Sequence, residues 1–274
     1  MSGCSETTKF QVVSRKKRHG RKQHLDHSLD LSKKSNQPEI NIDHLVQKIT
    51  DAVVTIKNSP YKKILLKGLK DSLKTLNVDV VPIIVCYGLG NFSENKCAQY
   101  QLAALLTMQS LYESKVHIYD PVFYSKEIEV LKKFGLLIID NNEVGIRKSG
   151  DNLTLFYMPH CFKGLVANVI YANWQIDLLN NCILLTNSFN EMADDVVTDD
   201  KQVKDSVELI KKIHPFTTEF VLDESFDNAP DAFHCTSIHV FSMDKLSMVP
   251  GDFWKPLIAP PFNQNEIDHE KRQD

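Results

Sequence analysis

No stretch of this 274-residue chain runs to the roughly 18 unbroken apolar residues of a membrane span. The opening MSGCSETTKF has none of the apolar core of a secretory signal. Together these absences lead to the expectation of a soluble intracellular protein with no membrane partner. No two of the six cysteines (Cys4, Cys86, Cys97, Cys161, Cys182 and Cys235) make a C-x-x-C pair, and no Cys/His cluster has the spacing of a zinc site. Most of them sit in or beside apolar runs, where buried reduced thiols belong. No metal ligand is therefore expected.

What is present is an ordinary globular balance, 42% hydrophobic and 24% charged. The net charge of -3 conceals an asymmetry. Up to Lys34 there are nine Lys/Arg against three Asp/Glu, or +6, which leaves 23 against 32, or -9, for the remainder. Residues 1–38 are polar and lack periodicity, so a disordered basic tail is expected there. Within it SRKKRHGRK (14–22) is dense enough for a nuclear-localisation signal or for phosphate contacts. No aromatic residue interleaves that cluster as a base-stacking surface requires. An acidic body argues against nucleic acid as a partner of the folded part.

From Ile40 the chain is periodic. NIDHLVQKITDAVVTIK (41–57) and a second segment from Pro60 to about Leu76 carry apolar stripes at helical spacing and should cover one face of a sheet. VPIIVCY (81–87) is a continuous apolar run suited to a buried parallel strand. A helix is expected from about Glu94 to Tyr112 with Ser93 as its N-cap, then a strand VHIYD (116–120). SKEIEVLKKFG (125–135) predicts a short helix capped by Ser125 and ended by Gly135. LLIID (136–140), TLFYMPH (154–160) and CILLTN (182–187) read as further strands, with helices over 162–174 and 200–213. EFVLDE (219–224) and HCTSIHVFS (234–242) have no helical pattern between them and suit an antiparallel pair. This alternation predicts an α/β fold: a Rossmann-like three-layer sandwich with a mainly parallel sheet and the late antiparallel pair at one edge. The domain is placed at 39–248, with an irregular tail over 249–274. The arrangement is analogous to methyltransferase-type sheets at the level of fold alone.

Candidate ligand residues follow from position. In a dinucleotide fold, glycines after the first strand make a tight turn and admit a phosphate at the helix N-terminus. Gly88 and Gly90 fit the first two positions of G-x-G-x-x-G, but Ser93 stands at the third and Glu94 would repel a phosphate. A nucleoside without a pyrophosphate, such as S-adenosylmethionine, tolerates that loop better; equally, GLGN (88–91), including Asn91, can be a structural turn. Asp120 ends the second strand, where an acid can accept from ribose hydroxyls or simply start an Asp-Pro turn. His160 and Cys161 follow the fourth strand, with no nearby carboxylate to orient the imidazole. Asn187 and Ser188 end the fifth. Asn168 and Asn173 are unusual on a mostly apolar helix, Trp174 suits a core or interface anchor, and His239 alternates with Ile238 and Val240 as a residue facing solvent or the loop side. The common location of Gly88, Gly90, Asp120, His160 and Asn187 at strand carboxyl ends is the main argument for a crevice there. No residue is assigned a catalytic role.

VCYGLGNFSENKCAQYQLAALL, VHIYDPVF, TLFYMPHC, NVIYANW, LLTNSF and DAFHCTSIHVF, in that order, resemble the "sensitivity to red light reduced"-like family, as does the basic FQVVSRKKRHGRK near the start. The resemblance implies a regulatory protein with no established reaction, acting through protein partners, in cytoplasm and nucleus. It links the chain to a circadian-clock input pathway and to control of haem biosynthesis and clock-gene expression. His234-Cys235 departs from the Asn-Asp that often precedes Thr-Ser in the family. The alternative left open by the residues is a nucleoside-cofactor enzyme or sensor, S-adenosylmethionine-dependent and methyltransferase-like, with haem a further possible cofactor.

Overall fold

A computed structural model describes residues 38–194, 199–222 and 226–255. The basic cluster at 14–22 and most of the expected tails lie outside the described residues. Glu39 onward forms one compact unit. Its helices are α1 (Ile42–Asn58), α2 (Pro60–Leu76), α3 (Lys96–Tyr112), α4 (Ser125–Lys133), α5 (Lys163–Ala172), α6 (Ile176–Asn180), α7 (Phe189–Met192), α8 (Lys201–Ile213) and α9 (Met243–Leu246). Its strands are β1 (Ile83–Tyr87), β2 (Lys115–Tyr119), β3 (Leu137–Ile138), β4 (Thr154–Tyr157), β5 (Cys182–Asn187), β6 (Thr218–Val221) and β7 (Thr236–Val240).

The strands form one sheet in the order β3-β2-β1-β4-β5-β7-β6. Pairing is parallel from β3 to β5; β7 is antiparallel to both β5 and β6. The fold is thus α/β, with a mostly parallel sheet and the late pair at one edge. Side-chain alternation explains the two-sided burial. Ile84 and Cys86 of β1 enter one core with Leu65, Leu102 and Leu131. Val85 and Tyr87 enter the other with Val166, Ile170 and Ile210. Helices α1–α4 therefore cover one face and α5–α9 the other. A parallel sheet covered on both faces needs continuous apolar strands, which is what β1, β4 and β5 supply.

Two expected caps are corrected. Asn95, not Ser93, begins α3: its side chain accepts from the Ala98 N–H at 3.0 Å. Tyr124, not Ser125, is the N-cap of α4, and Glu127 reaches back to the Tyr124 N–H at 2.9 Å. Gly135 takes the left-handed conformation, φ 75°, as its position after α4 suggests. Beyond Met248 a 3-10 turn over Gly251–Trp254 sits against the turn that follows α5: the Phe253 ring stacks on Trp174 at 5.0 Å, and Trp174 is buried. Among the described residues no helix is long and apolar enough to cross a membrane.

One crossover is irregular. β3 and β4 are joined through residues 139–153 without a helix. Glu143 anchors this loop. Its carboxylate accepts from Tyr87 Oη at 2.6 Å, from Arg147 Nε at 2.7 Å and from the Arg147 guanidinium again at 2.7 Å. Burial raises the Glu143 carboxyl, but the Arg147 and Tyr87 hydrogen bonds outweigh it and hold the group below its ordinary range. The two unusual asparagines, Asn168 in α5 and Asn173 as its C-cap, finish the work: Asn168 donates to Val144 O at 2.7 Å, while Asn173 donates to Arg147 O at 2.9 Å and accepts from the Ser149 N–H at 2.8 Å. Val144 is held at φ 46°, a rare backbone region for a β-branched residue.

Candidate functional site

In an open α/β sheet, ligands bind outside the strand carboxyl ends where the strand order reverses. Here that point lies between β1 and β4. The loops at that edge are 88–91, 120–124, 158–162, 187–188 and, because β7 runs antiparallel, 234–235.

Gly88 and Gly90 both have positive φ, 67° and 79°, so each needs glycine's freedom. Gly88 is also close to Cys161: a Cβ there would fall far inside contact with the Cys161 sulfur. That thiol donates to Tyr87 O at 3.3 Å, so the β4–α5 loop presses directly on the β1–α3 turn. Gly90 has open space instead, its nearest neighbour being Ala98 Cβ at 4.0 Å.

Asp120 is engaged with backbone. Oδ2 accepts from the Gly90 N–H at 2.8 Å, and Oδ1 accepts from the Val122 N–H at 2.9 Å. The acid at the end of β2 thus ties two loops together. Asn91 joins the same system, donating to Val122 O at 2.5 Å and to Glu127 at 3.0 Å. Glu127 is fully buried and also accepts from the Ser93 N–H at 2.7 Å. Its position inside SKEIEVLKK looks like an exposed helical acid. The signal that could have found it is the glutamate at the third helical position, which satisfies an orphan N–H before the helix.

His160 is exposed at the rim, at φ 54°. Its Nε2 lies 3.0 Å from His234 O, so an Nε2–H donates there. The Ser188 N–H donates to Cys235 O at 2.8 Å. His234 and Cys235 therefore serve this edge through their carbonyls, which side chains of another type would also present. Asn187 is half-buried and pairs with Thr236 in register. Gly88, Gly90, Asn91 and Asp120 are brought into one network; His160 and Ser188 bond to the 234–235 loop.

Sequence reasoning missed a second polar cluster under α7. His239 does not face solvent; it is fully buried, because α7 covers the face opposite Ile238 and Val240. The Phe189 ring stacks on it at 3.8 Å. Its Nδ1 lies 3.2 Å from Leu184 O, and its Nε2 accepts from the Phe189 N–H at 3.2 Å. Those two partners assign the neutral Nδ1–H tautomer, and burial lowers the imidazole's affinity for a proton. No carboxylate orients Nδ1, so a serine–histidine–acid relay is not assembled. Across from His239 in the β6–β7 ladder stands Glu219. Burial raises its carboxyl, but the His239 imidazole and the Ser188 and Ser237 hydroxyls prevail and hold it at about 2. Because the folded-state value is depressed, the stability it contributes is present above the ordinary carboxylate range and lost as pH falls towards about 2. Melting temperature measured against pH should therefore be flatter in that window for Glu219→Gln than for the parent; identical profiles would contradict the assignment.

A family model described as the SRR1 domain matches residues 65–240. An SRR1-like protein of Drosophila melanogaster is 26% identical over 266 residues, covering 94% of this chain and 92% of the relative. Protein SENSITIVITY TO RED LIGHT REDUCED 1 of Arabidopsis thaliana is 28% identical over 215 residues, covering 75% and 78%. An SRR1-like protein of Mus musculus is 37% identical over 113 residues, covering 40% and 45%. Among solved structures, the plantazolicin methyltransferase BpumL in complex with SAH is similar at 11% identity and a TM-score of 0.32, over 73% of this chain and 97% of that one. The matched region runs from α2 through β7 and contains every loop of the carboxyl edge, and on that ground the chain belongs to the SRR1 domain family.

Proposed function

We propose that this protein is a regulator that works through protein partners, using the α/β domain as a recognition frame. Family membership supports the regulatory role. The observation that carries the rest is the state of the carboxyl edge: Asp120, Asn91 and Glu127 are spent on loop-to-loop hydrogen bonds, and the Cys161 thiol packs against Gly88. Groups committed to holding loops together are poorly placed to move protons. Circadian-clock input, control of haem biosynthesis and of clock-gene expression, and residence in both cytoplasm and nucleus form the finer part of the proposal. They rest on the family resemblance and on the basic 14–22 segment.

A second reading is favoured by one observation. Asp120 directly follows β2 at the edge where the strand order reverses, the position from which an acid accepts from ribose hydroxyls in nucleoside-binding sheets. A thermal-shift screen of the full chain with S-adenosylmethionine, S-adenosylhomocysteine, NAD, ATP and haem separates the two. A ligand at 100 times its Kd stabilises by about 2.7 kcal/mol. The partner reading expects no shift from any of them; a shift with S-adenosylmethionine that Asp120→Ala abolishes establishes the nucleoside reading instead. Asp120→Ala alone is expected to destabilise by about 1–3 kcal/mol, because the Gly90 and Val122 N–H groups lose their acceptor.

A further inference from the structure

One row of side chains crosses the sheet on the face of the second core: Leu137, His117, Val85, Phe156, Leu184 and His239 are successive cross-strand partners. From Val85 to His239 the row is fully buried, but His117 is half-buried and Leu137 is 40% exposed. Cover on this face therefore ends at β1. On the opposite face the same edge is closed, since Val116 and Ile118 of β2 are buried. The strand sequence agrees. IIVCY in β1 is apolar throughout, whereas KVHIY in β2 alternates, the pattern of a strand covered on one side. In α/β folds each crossover lays a helix on one face. The crossover from β3 to β4 has none, and the bare strip lies on the face that such a helix would cover.

The strip has an apolar part and a cationic part. Leu137 and, in the crossover, Ile146 are 40% and 48% exposed. Lys115 shares the face of His117, is exposed, and has no carboxylate at ion-pair distance among the described residues. The charged neighbours of His117 are Arg147, Lys115 and Glu143, and Glu143 is already committed to Arg147 and Tyr87.

Shape and charge select the occupant. A helix is what parallel sheets carry on such a face, whereas an added strand would need β3, which is only 2 residues long. A second copy docked face to face would bring two Lys115 ammonium groups to one interface and no carboxylate for either. The basic cluster at 14–22 has the same sign as Lys115 and is repelled. An acidic helix with an apolar stripe meets both needs: apolar side chains on Leu137 and Ile146, and a carboxylate for Lys115.

We propose that this bare strip of β2 and β3 docks an acidic amphipathic helix of a partner protein, seated where a crossover helix would lie. The inference rests on the partner reading above and adds where the partner binds and what it carries.

Photoreactive benzoylphenylalanine placed at Leu137, or in a second variant at Ile146, tests this in the full-length protein in cells, with the exposed Val54 and Val221 as positions elsewhere. Cross-linked segments are sequenced by mass spectrometry. The expected result is one foreign segment captured from both 137 and 146, acidic and with apolar residues at helical spacing. Lys115→Glu should cut its yield roughly fivefold or more, by turning an attraction into a repulsion. A segment of this chain, a foreign segment without those features, or a yield indifferent to Lys115→Glu overturns the proposal. Foreign cross-links from Val54 or Val221 but none from the strip also overturn it and leave the partner reading standing. No foreign cross-link at any of the four positions removes both.

Discussion

Glu127→Ala is expected to lower the free energy of unfolding by about 4 kcal/mol. The carboxylate is fully buried, and three donors converge on it: the Ser93 N–H, the Tyr124 N–H and Asn91 Nδ2. Each donor left without an acceptor in a dry site costs about 1–3 kcal/mol, and water entering the vacated space recovers part of the total. Glu127→Gln should be intermediate. One oxygen still accepts, while the amide nitrogen meets a donor. The urea midpoint should fall at an unchanged slope, since the native fold is retained. A loss under about 1 kcal/mol for the alanine variant would mean that the three donors find other acceptors, and that Glu127 is not the tie between the loop after β1 and the start of α4.

Gly88→Ala is expected to cost about 2–3 kcal/mol, from two separable sources. A left-handed backbone costs a non-glycine residue about 1–2 kcal/mol. The rest comes from Cys161, whose sulfur occupies the place of the new methyl and must rotate away from Tyr87 O. In a Cys161→Ala background only the backbone cost remains, so the same substitution should cost about 1 kcal/mol less there. A double-mutant cycle by urea denaturation measures that coupling. Simple additivity would mean the two loops do not bear on each other.

The same two residues show why sequence reasoning reached some of this site and not the rest. Gly88 and Gly90 were legible because positive φ in a strand-to-helix turn leaves a residue-type signature, and both sites have it. The parallel strands were legible because two-sided burial forces unbroken apolar runs, as in IIVCY and CILLTN. Glu127 was hidden, since its partners are backbone groups 3 and 34 residues away, and no local pattern encodes the second. His239 was misplaced because alternation reveals which residues share a face, and not whether both faces are covered. The 4- and 5-residue helices α6, α7 and α9 are too short for any periodicity to show. Ser93 lost the capping role to Asn95 although both have suitable side chains; the turn at 92–94 delays the helix by two residues.

The helix-free passage from β3 to β4 has a consequence for how the molecule opens and closes. This segment buries little of its own side-chain surface, and Ile146 stays exposed. Its backbone order depends on the amide side chains of Asn168 and Asn173 and on the Tyr87 hydroxyl, all supplied by other elements. Such a loop has no reason to be ordered while α5 is undocked. The loop and α5 therefore belong to one cooperative unit of local unfolding, and their amide protons should exchange with solvent together, apart from the slower exchange of β1 and β4 beneath them.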